Sequence, residues 1–405
     1  MATSYTTDHI EVIDVDSHYS PPPGFWEAHA PAKFKERVPR IGEDEQGMPE
    51  WLVDGQPFDS IGFNMVRPDG TKAPGNMRAL PYFEQMHAGS YDVKARVAWL
   101  DEHGISQQIM YPNTGGFSSQ MFFTKIVDEE LRNVCIRTYN DAAAALQEES
   151  GGRLVPLSQV PWWDIDEAEK ELQRTVVELG LTAGPTMFSA PEVHGLPSLN
   201  HPQWSKFLST CEELEVPLSF HIGPHGGGAH KPWVEPGVDA VTKLTTGRGV
   251  HLAVYTTNSF FSNSWLISNL VFSGIPLMYP GLKIVSGESG ISWLPFLLEA
   301  MDFQWQENIE PEDKRDLWKG MKPSEVYRRN FTASFWFEKV ALAEHIDFLG
   351  PDTVMFETDF PHGTSLTDTM TADVAATLAT LTPDVRKKVL HSTAARVYNL
   401  RYTGK

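Results

Sequence analysis

The amino-acid sequence predicts a (β/α)8 barrel, an α/β fold in which eight parallel strands alternate with helices. Short apolar runs rich in β-branched residues recur along the chain, and helical patterns separate most of them. Acidic residues and histidines follow several of these runs, at the ends where barrel enzymes gather their active sites. Barrels with insertions often reach 405 residues as one unit, so we expect residues 1–405 to form a single domain.

Eight segments are predicted as the strands. They are residues 11–16, 105–111, 154–160, 183–188, 216–221, 282–287, 331–337 and 353–357. Helices are predicted between them at residues 93–103, 120–148, 165–179, 202–214 and 293–308. The aromatic run of the seventh segment could equally belong to a helix. Eight repeats of strand and helix favour closure of a parallel sheet into a barrel.

Three stretches do not fit a minimal barrel. Residues 20–90 follow the first strand, residues 223–262 follow the fifth, and a charged stretch at 307–328 precedes the seventh. Loops this long in a compact domain are usually functional or disordered. The first two leave the C-terminal ends of strands, so we expect them to form walls or lids of the active-site pocket.

Composition limits the classes of partner and the compartment. A net charge of −20 argues against nucleic acids and anionic membrane surfaces as partners. Cys135 and Cys211 lie far apart in helix-like stretches, which predicts buried free thiols. No apolar leader and no run of eighteen apolar residues is present. The sequence therefore predicts a soluble cytoplasmic protein that acts on a small molecule.

Four strand ends carry residues that can bind a metal ion or move a proton. The strand period of two places Asp14, Asp16 and His18 on one side at the end of the first strand. The remaining candidates are His221 after the fifth strand, Glu288 after the sixth, and Asp359 with His362 after the eighth. Each has a structural alternative as a strand-end cap, a hydrogen-bonded histidine, a turn residue or a helix N-cap. Their joint placement at four strand ends favours a metal site.

Several motifs resemble the amidohydrolase superfamily. They are IDVDSH, DVKARVAWLDEHGI, TYNDAAAAL, LSFHIG, LKIVSGESGISWLP, ETDFPH and STAARVYNL, and together they span nearly the whole chain. The resemblance is to the amidohydrolase-related branch, which also holds metal-dependent aromatic-acid decarboxylases. Carried over by position, the family's strand-one H-x-H pair falls on Asp16 and His18, and its strand-five histidine on His221. Its strand-six histidine falls on Glu288, and its strand-eight aspartate on Asp359.

The resemblance implies a metal-dependent enzyme and a possible homodimer. The implied metal ligands are Asp16, His18, His221, Glu288 and Asp359. Such a mixed oxygen and imidazole set suits zinc, iron or manganese, as one ion or two. Glutamate at position 288 is the main departure, because an ionised glutamate would repel a substrate carboxylate, although a protonated one could still work.

We therefore expect a hydrolase that uses a metal-activated water on an ester, thioester, amide or activated C–C bond, with a thioesterase of secondary metabolism as one candidate. Asp359 would accept the proton of that water, and His225 or His362 would help the metal to stabilise the oxyanion. The alternative is a non-oxidative decarboxylase of an aromatic or related acid, in which a site acid protonates carbon. A barrel that binds a small ligand without catalysis is the third possibility.

Aromatic residues at strand ends predict an apolar pocket. Trp162 and Trp163 follow the third strand and Phe188 ends the fourth, which suits an aromatic or large acyl group. The structural alternative is that these side chains pack the barrel rim. Arg67, in the first long excursion, is a candidate anchor for a carboxylate, with a solvated loop arginine as the alternative.

Overall fold

The structure, a computed structural model, describes residues 5–6, 8–72, 80–223, 248–366 and 368–400. Its barrel strands, β1 to β8 in chain order, all lie at the predicted segments, which confirms the eight-strand prediction. They are Val12–Asp14, Ile105–Pro112, Leu154–Pro156 continued by Ser158–Gln159, Pro185–Thr186, Leu218–His221, Ile284–Gly287, Phe331–Phe335 and Val354–Phe356.

The eight strands form a closed parallel ring. Consecutive strands pair in parallel from β1 to β8. Val15 N donates to Phe356 O at 2.9 Å and His18 N donates to Phe360 O at 2.8 Å, so the end of β1 also pairs with the end of β8. Since this last pairing leaves no edge between β1 and β8, the predicted barrel is confirmed.

The helices surround this ring and also fill the insertions. The α-helices are Val93–His103, Gln120–Lys125, Glu129–Glu149, Ile165–Gln173, Ser205–Glu213, Arg248–Ser259, Ser262–Phe272, Ile275–Met278, Leu294–Asn308, Pro311–Asp316, Pro323–Asn330, Val340–Glu344, Ile346–Leu349, Asp368–Leu378, Pro383–Lys387 and Thr393–Val397. The helix predicted at 120–148 is two helices, because Asp128 caps the second by accepting from Leu131 N. None of the described helices is long and apolar enough to cross a bilayer.

The barrel interior has its own apolar core. Its buried side chains come from most of the strands, and Val397 and Tyr398 near the C-terminus pack against them. The strand members are Ile13, Ile109, Tyr111, Val155, Val285 and Met355. This packing leaves polar side chains at the C-terminal ends of the strands.

The first insertion is more regular than its sequence suggests. It contains a three-stranded antiparallel sheet formed by Arg40–Glu43, Pro49–Val53 and Gln56–Ser60. The second hairpin turns at Asp54 and Gly55, whose φ angles are 52° and 74°. Asp-Gly in this left-handed conformation is a strong hairpin signal, so this sheet could have been predicted. In the second insertion, residues 224–247 lie outside the described part of the chain.

Candidate metal centre

The candidate ligands at the ends of β1 and β5 converge. His18 Nε2 lies 3.4 Å from Asp16 Oδ1, and His221 Nε2 lies 3.5 Å from Asp16 Oδ2. All three side chains are fully buried. Their ligand atoms lie within 4.8 Å of one another, which is close enough to contact one ion. Two imidazoles and a carboxylate form an arrangement that suits a divalent transition metal.

A second group of ligand-type atoms lies beside His18 and comes from the ends of β6 and β8. Asp359 Oδ1 lies 3.5 Å from His18 Nε2 and 2.9 Å from His362 Nδ1. Glu288 Oε2 lies 3.1 Å from His221 Nε2. The structure thus brings the predicted residues into one group, which we name the strand-end cluster: Asp16, His18, His221, Glu288, Asp359 and His362.

The neighbours of the cluster constrain where its protons lie. Asn113 Nδ2 donates to Ser20 Oγ at 3.0 Å, so its carbonyl oxygen faces His362 Nε2, also at 3.0 Å. His362 Nε2 must therefore carry a hydrogen. His362 Nδ1, on the opposite side of the ring, lies 2.9 Å from Asp359 Oδ1, so the imidazole bridges Asn113 and Asp359.

A similar constraint applies between Glu288 and Asp359. The Thr364 hydroxyl lies 3.1 Å from Glu288 Oε1 and also contacts Asp359 Oδ2. A hydroxyl group has only one hydrogen to donate. Thr364 can therefore donate to only one of the two carboxyl groups at a time.

Burial and mutual repulsion raise the pKa values of the carboxyl groups. Burial, together with the charges of Glu357 and Glu288, raises the pKa of Asp16 well above its usual range. Burial and the charges of Asp359 and Glu357 do the same for the pKa of Glu288. Burial, together with His362 and His221, lowers the pKa of His18, so this imidazole is neutral, as a metal ligand must be.

These features fit a divalent cation. Neither carboxylate oxygen of Asp16 accepts a hydrogen bond, although the side chain is fully buried. Buried polar atoms are normally satisfied, and a bound ion would satisfy these. The excess of buried acid over buried base would also be reduced by a positive ion. The cluster can therefore bind a divalent metal.

Asp14 is separate from this cluster. It accepts hydrogen bonds from Gln108 Nε2 at 2.7 Å and from the Thr358 amide and hydroxyl at 2.9 and 2.5 Å. Gln108 in turn accepts from the buried Arg96, which also donates to the carbonyl oxygens of Gly89 and His18. We name Asp14, Arg96, Gln108 and Thr358 the Arg96 network. Its hydrogen bonds connect β1, β2, the residue Thr358 after β8, and the helix Val93–His103.

A close approach of the backbone at the end of β6 brings these groups together. A Cβ atom on Gly287 would lie 2.7 Å from the Tyr111 hydroxyl oxygen and 3.1 Å from Asp16 Oδ2. Any side chain at position 287 would therefore displace one of them. Glycine before Glu288 lets β6 approach the carboxylate of β1.

The residues proposed from the sequence to contact substrate lie in different surroundings. Trp162 is fully buried and stacks on Phe188 at 4.8 Å between ring centroids, while Trp163 stacks on Phe123 at 5.7 Å. Arg67 lies in a turn closed by its amide and Thr71 O. Their roles in substrate binding stay predictions. His225 lies outside the described residues.

Sequence reasoning missed several neighbours of the cluster. The ring of Phe117 lies 4.2 Å from that of His221 and 5.0 Å from that of His18. Phe117, Thr364 and Asn113 all follow barrel strands, in loops. Only Asn113 carried a usable signal, because it comes directly after β2.

A comparison with protein families decides the affiliation. The profile of the amidohydrolase family Amidohydro_2 matches residues 114–400, which is well over half of the sequence. The chain belongs to this family. The amidohydrolase resemblance noted in the motifs is therefore confirmed, and the protein is an enzyme of the amidohydrolase superfamily.

The individual proteins that this family member resembles share only low sequence identity with it. Gamma-resorcylate decarboxylase of Rhizobium radiobacter is 24% identical over 332 residues, which cover 79% of this chain and 86% of that protein. An amidohydrolase from Mycobacterium avium subsp. paratuberculosis shares its fold with a TM-score of 0.69, at 20% identity, covering 96% of this chain and 99% of that one.

A third relative was solved with a metal. It is 5-carboxyvanillate decarboxylase from Novosphingobium aromaticivorans, complexed with manganese and 4-hydroxy-3-methoxy-5-nitrobenzoic acid. Its TM-score is 0.61 at 16% identity, covering 99% of this chain and all of that one (100%). Because the curated relatives, such as gamma-resorcylate decarboxylase, are named as decarboxylases, the expectation of a hydrolase or thioesterase is wrong. Its physical basis was the repulsion between an ionised Glu288 and a carboxylate, which the raised pKa of Glu288 removes.

Proposed function

We propose that this member of the amidohydrolase family is a metal-dependent, non-oxidative decarboxylase of an aromatic carboxylic acid. The observation that carries the proposal is geometric: the buried carboxyl group of Glu288 lies 3.1 Å from His221 Nε2, inside a group of side chains that could hold a metal ion. Decarboxylation replaces a C–COO⁻ bond by a C–H bond and releases CO2. It needs a bound carboxylate and one proton delivered to carbon, with no oxidant.

Asp16, His18, His221 and Asp359 are the proposed metal ligands. Both groups of ligand atoms include His18, and its Nε2 faces both Asp16 and Asp359. Because the two groups share this nitrogen, we propose one ion per chain, held by these four residues. Manganese is the preferred candidate, since a decarboxylase of this fold was solved with it. When bound, the ion would supply positive charge to hold the substrate carboxylate.

Glu288 is the proposed proton donor to carbon. Burial and the charges of Asp359 and Glu357 favour its protonated form, and Thr364 lies 3.1 Å from its Oε1. A protonated carboxyl group does not repel a substrate carboxylate and can act as a general acid. Thr364 would hold the carboxyl group in place while it gives up its proton.

The surroundings favour an aromatic substrate. The Phe117 ring lies against two cluster imidazoles and excludes water from them. The His362 imidazole is held between Asn113 and Asp359, so its ring has a defined orientation in the cluster. Ring faces and imidazole edges around a charged centre suit a planar acid.

The test is CO2 release by metal-loaded protein. The protein is stripped with chelator, reloaded with manganese, zinc or iron, and incubated with hydroxybenzoic acids, including 2,6-dihydroxybenzoate and 5-carboxyvanillate. We expect CO2 and the matching phenol, with deuterium at the former carboxylate carbon when the reaction runs in D2O. Protein that binds the metal but releases no CO2 from any aromatic acid would contradict the proposal.

A further inference from the structure

Phe63 is a half-exposed aromatic side chain beside the strand-end cluster. Its ring lies 6.2 Å from that of His362, edge to face, and 6.4 Å from that of Phe117. Phe117 in turn contacts the other cluster imidazoles. Even so, 49% of the Phe63 side chain is open to solvent. One part of this ring therefore faces the cluster and another part faces outward.

The backbone on both sides of Phe63 is fixed. Gly62 has a φ of +128°, and a Cβ atom there would lie 2.8 Å from Ser20 Oγ and 2.9 Å from Asn113 Nδ2. On the other side, the buried Asn64 donates to Ser20 Oγ at 2.6 Å. Since Asn113 also contacts His362, the segment that carries Phe63 is anchored to the same residues as the cluster.

Single exposed apolar side chains are common on protein surfaces, so exposure alone assigns no role to Phe63. Its distinguishing features are the ring contact with His362 and the buried residues on each side of it. Other exposed phenylalanines behave differently: Phe296, for example, lies on the outer helix Leu294–Asn308, and no ring contact links it to the cluster in the described residues. Phe63 therefore has the position of a ligand contact.

We propose that Phe63 is a specificity-determining residue that contacts the ring face of an aromatic substrate at the mouth of the site. The inference rests on the proposed function and assigns a substrate contact to a residue of the first insertion. Aromatic pairs of this kind prefer edge-to-face or offset contacts, which the outward face of Phe63 offers. Removing the Phe63 ring should therefore weaken substrate binding and leave the rate of the chemical step nearly unchanged.

The experiment measures binding without turnover. The probe is 2-nitroresorcinol, which has no carboxylate to lose, titrated calorimetrically into manganese-loaded protein. We expect the dissociation constant to rise about 10-fold in Phe63→Ala and to stay within about 3-fold of wild type in Phe63→Tyr, which keeps the ring. Phe296→Ala removes a ring that is more exposed (77%) and lies elsewhere, and it should not change the dissociation constant.

Turnover separates this inference from the proposed function. If an aromatic acid is decarboxylated, Phe63→Ala should raise its KM with little change in kcat. Binding that depends on Phe63 without any CO2 release would support the inference and contradict the function. Equal binding by wild type and Phe63→Ala, or no binding of the probe by wild type, would overturn the inference whether or not CO2 is released.

Discussion

Two acidic residues at the end of β1, Asp14 and Asp16, are only two positions apart and have opposite surroundings. Asp14 belongs to the Arg96 network and accepts hydrogen bonds from Gln108, from Thr358 and from the Asp16 amide. Asp16 belongs to the strand-end cluster, and neither of its carboxylate oxygens accepts any. Both side chains are completely buried.

The difference separates a structural carboxylate from a ligand. A buried acid whose oxygens are all hydrogen-bonded has no lone pairs left for an ion, and removing it disrupts packing. A buried acid without donors is stable only if something else satisfies it. The Arg96 network should therefore determine stability, and the strand-end cluster should determine metal binding and activity.

The largest expected effect is on activity in Asp16→Asn. This nearly isosteric change removes a negative charge from the cluster, so we expect kcat/KM for CO2 release to fall at least about 1000-fold. The free energy of unfolding of the metal-free protein should be unchanged or higher, because a buried repulsive charge is lost. Activity within about 10-fold of wild type would exclude Asp16 as a ligand.

The opposite pattern is expected for Arg96→Met. Three acceptors, on Gly89, His18 and Gln108, lose their donor, and we expect the free energy of unfolding to fall by about 3 kcal/mol in urea titrations. The variant that still folds should bind manganese with the wild-type stoichiometry. Arg96→Lys, which keeps the charge, is the matched control, and its free energy of unfolding should fall by less than that of Arg96→Met.

Glu288→Gln tests whether the residue supplies a proton or a ligand. Glutamine keeps the size and the contact with Thr364 but cannot donate a proton as an acid, so we expect kcat to fall about 100-fold with manganese still bound. Glu288→Asp should recover part of the activity. A kcat equal to that of wild type in Glu288→Gln would assign the proton to another group.

The smallest expected effect is on the pH dependence of stability. Burial raises the pKa of Asp14 to about 6, and burial with the charges of Glu357 and Glu288 raises the pKa of Asp16 well above its usual range, so the folded protein holds protons that the unfolded chain has released. Stability of the metal-free protein should therefore fall as pH rises above about 4, through 6 and beyond.

Manganese should remove only part of this pH dependence. Metal binding displaces the cluster protons but leaves Asp14 in its network, so the stabilisation by manganese should grow between pH 5 and pH 8. Thermal unfolding scans with and without the ion give both quantities. If the increase in Tm caused by manganese is constant between pH 5 and pH 8, metal binding displaces no proton from the cluster.

The sequence predicted the fold nearly in full because barrel strands have a local signature. All eight strands were found from short β-branched runs, even though β4 has only two paired residues, Pro185 and Thr186. The sequence analysis did not predict the antiparallel sheet of the first insertion, although the dipeptide Asp54-Gly55 is a recognised hairpin signal. Its strands carry charged and polar residues, so periodicity alone gave no pattern.

The candidate site was predicted in its positions but not in its chemistry. Strand ends identified Asp16, His18, His221, Glu288 and Asp359, since a barrel brings strand ends together. Periodicity alone did not separate Asp14 from Asp16, because a period of two treats them alike, and only the family resemblance selected Asp16 as the ligand. The protonation of Glu288 depends on burial and on neighbouring charges from other strands, which a sequence does not show. That omission led to the wrong reaction class.

Metal content tests the central distinction most directly. Wild type, Asp14→Asn, Asp16→Asn and Glu288→Gln are loaded with manganese, desalted and measured by elemental analysis beside circular dichroism. The account predicts about one ion per chain in wild type, Asp14→Asn and Glu288→Gln, and well under one in Asp16→Asn. Two ions per wild-type chain falling to one in Glu288→Gln, or full metal retained in Asp16→Asn, would contradict it.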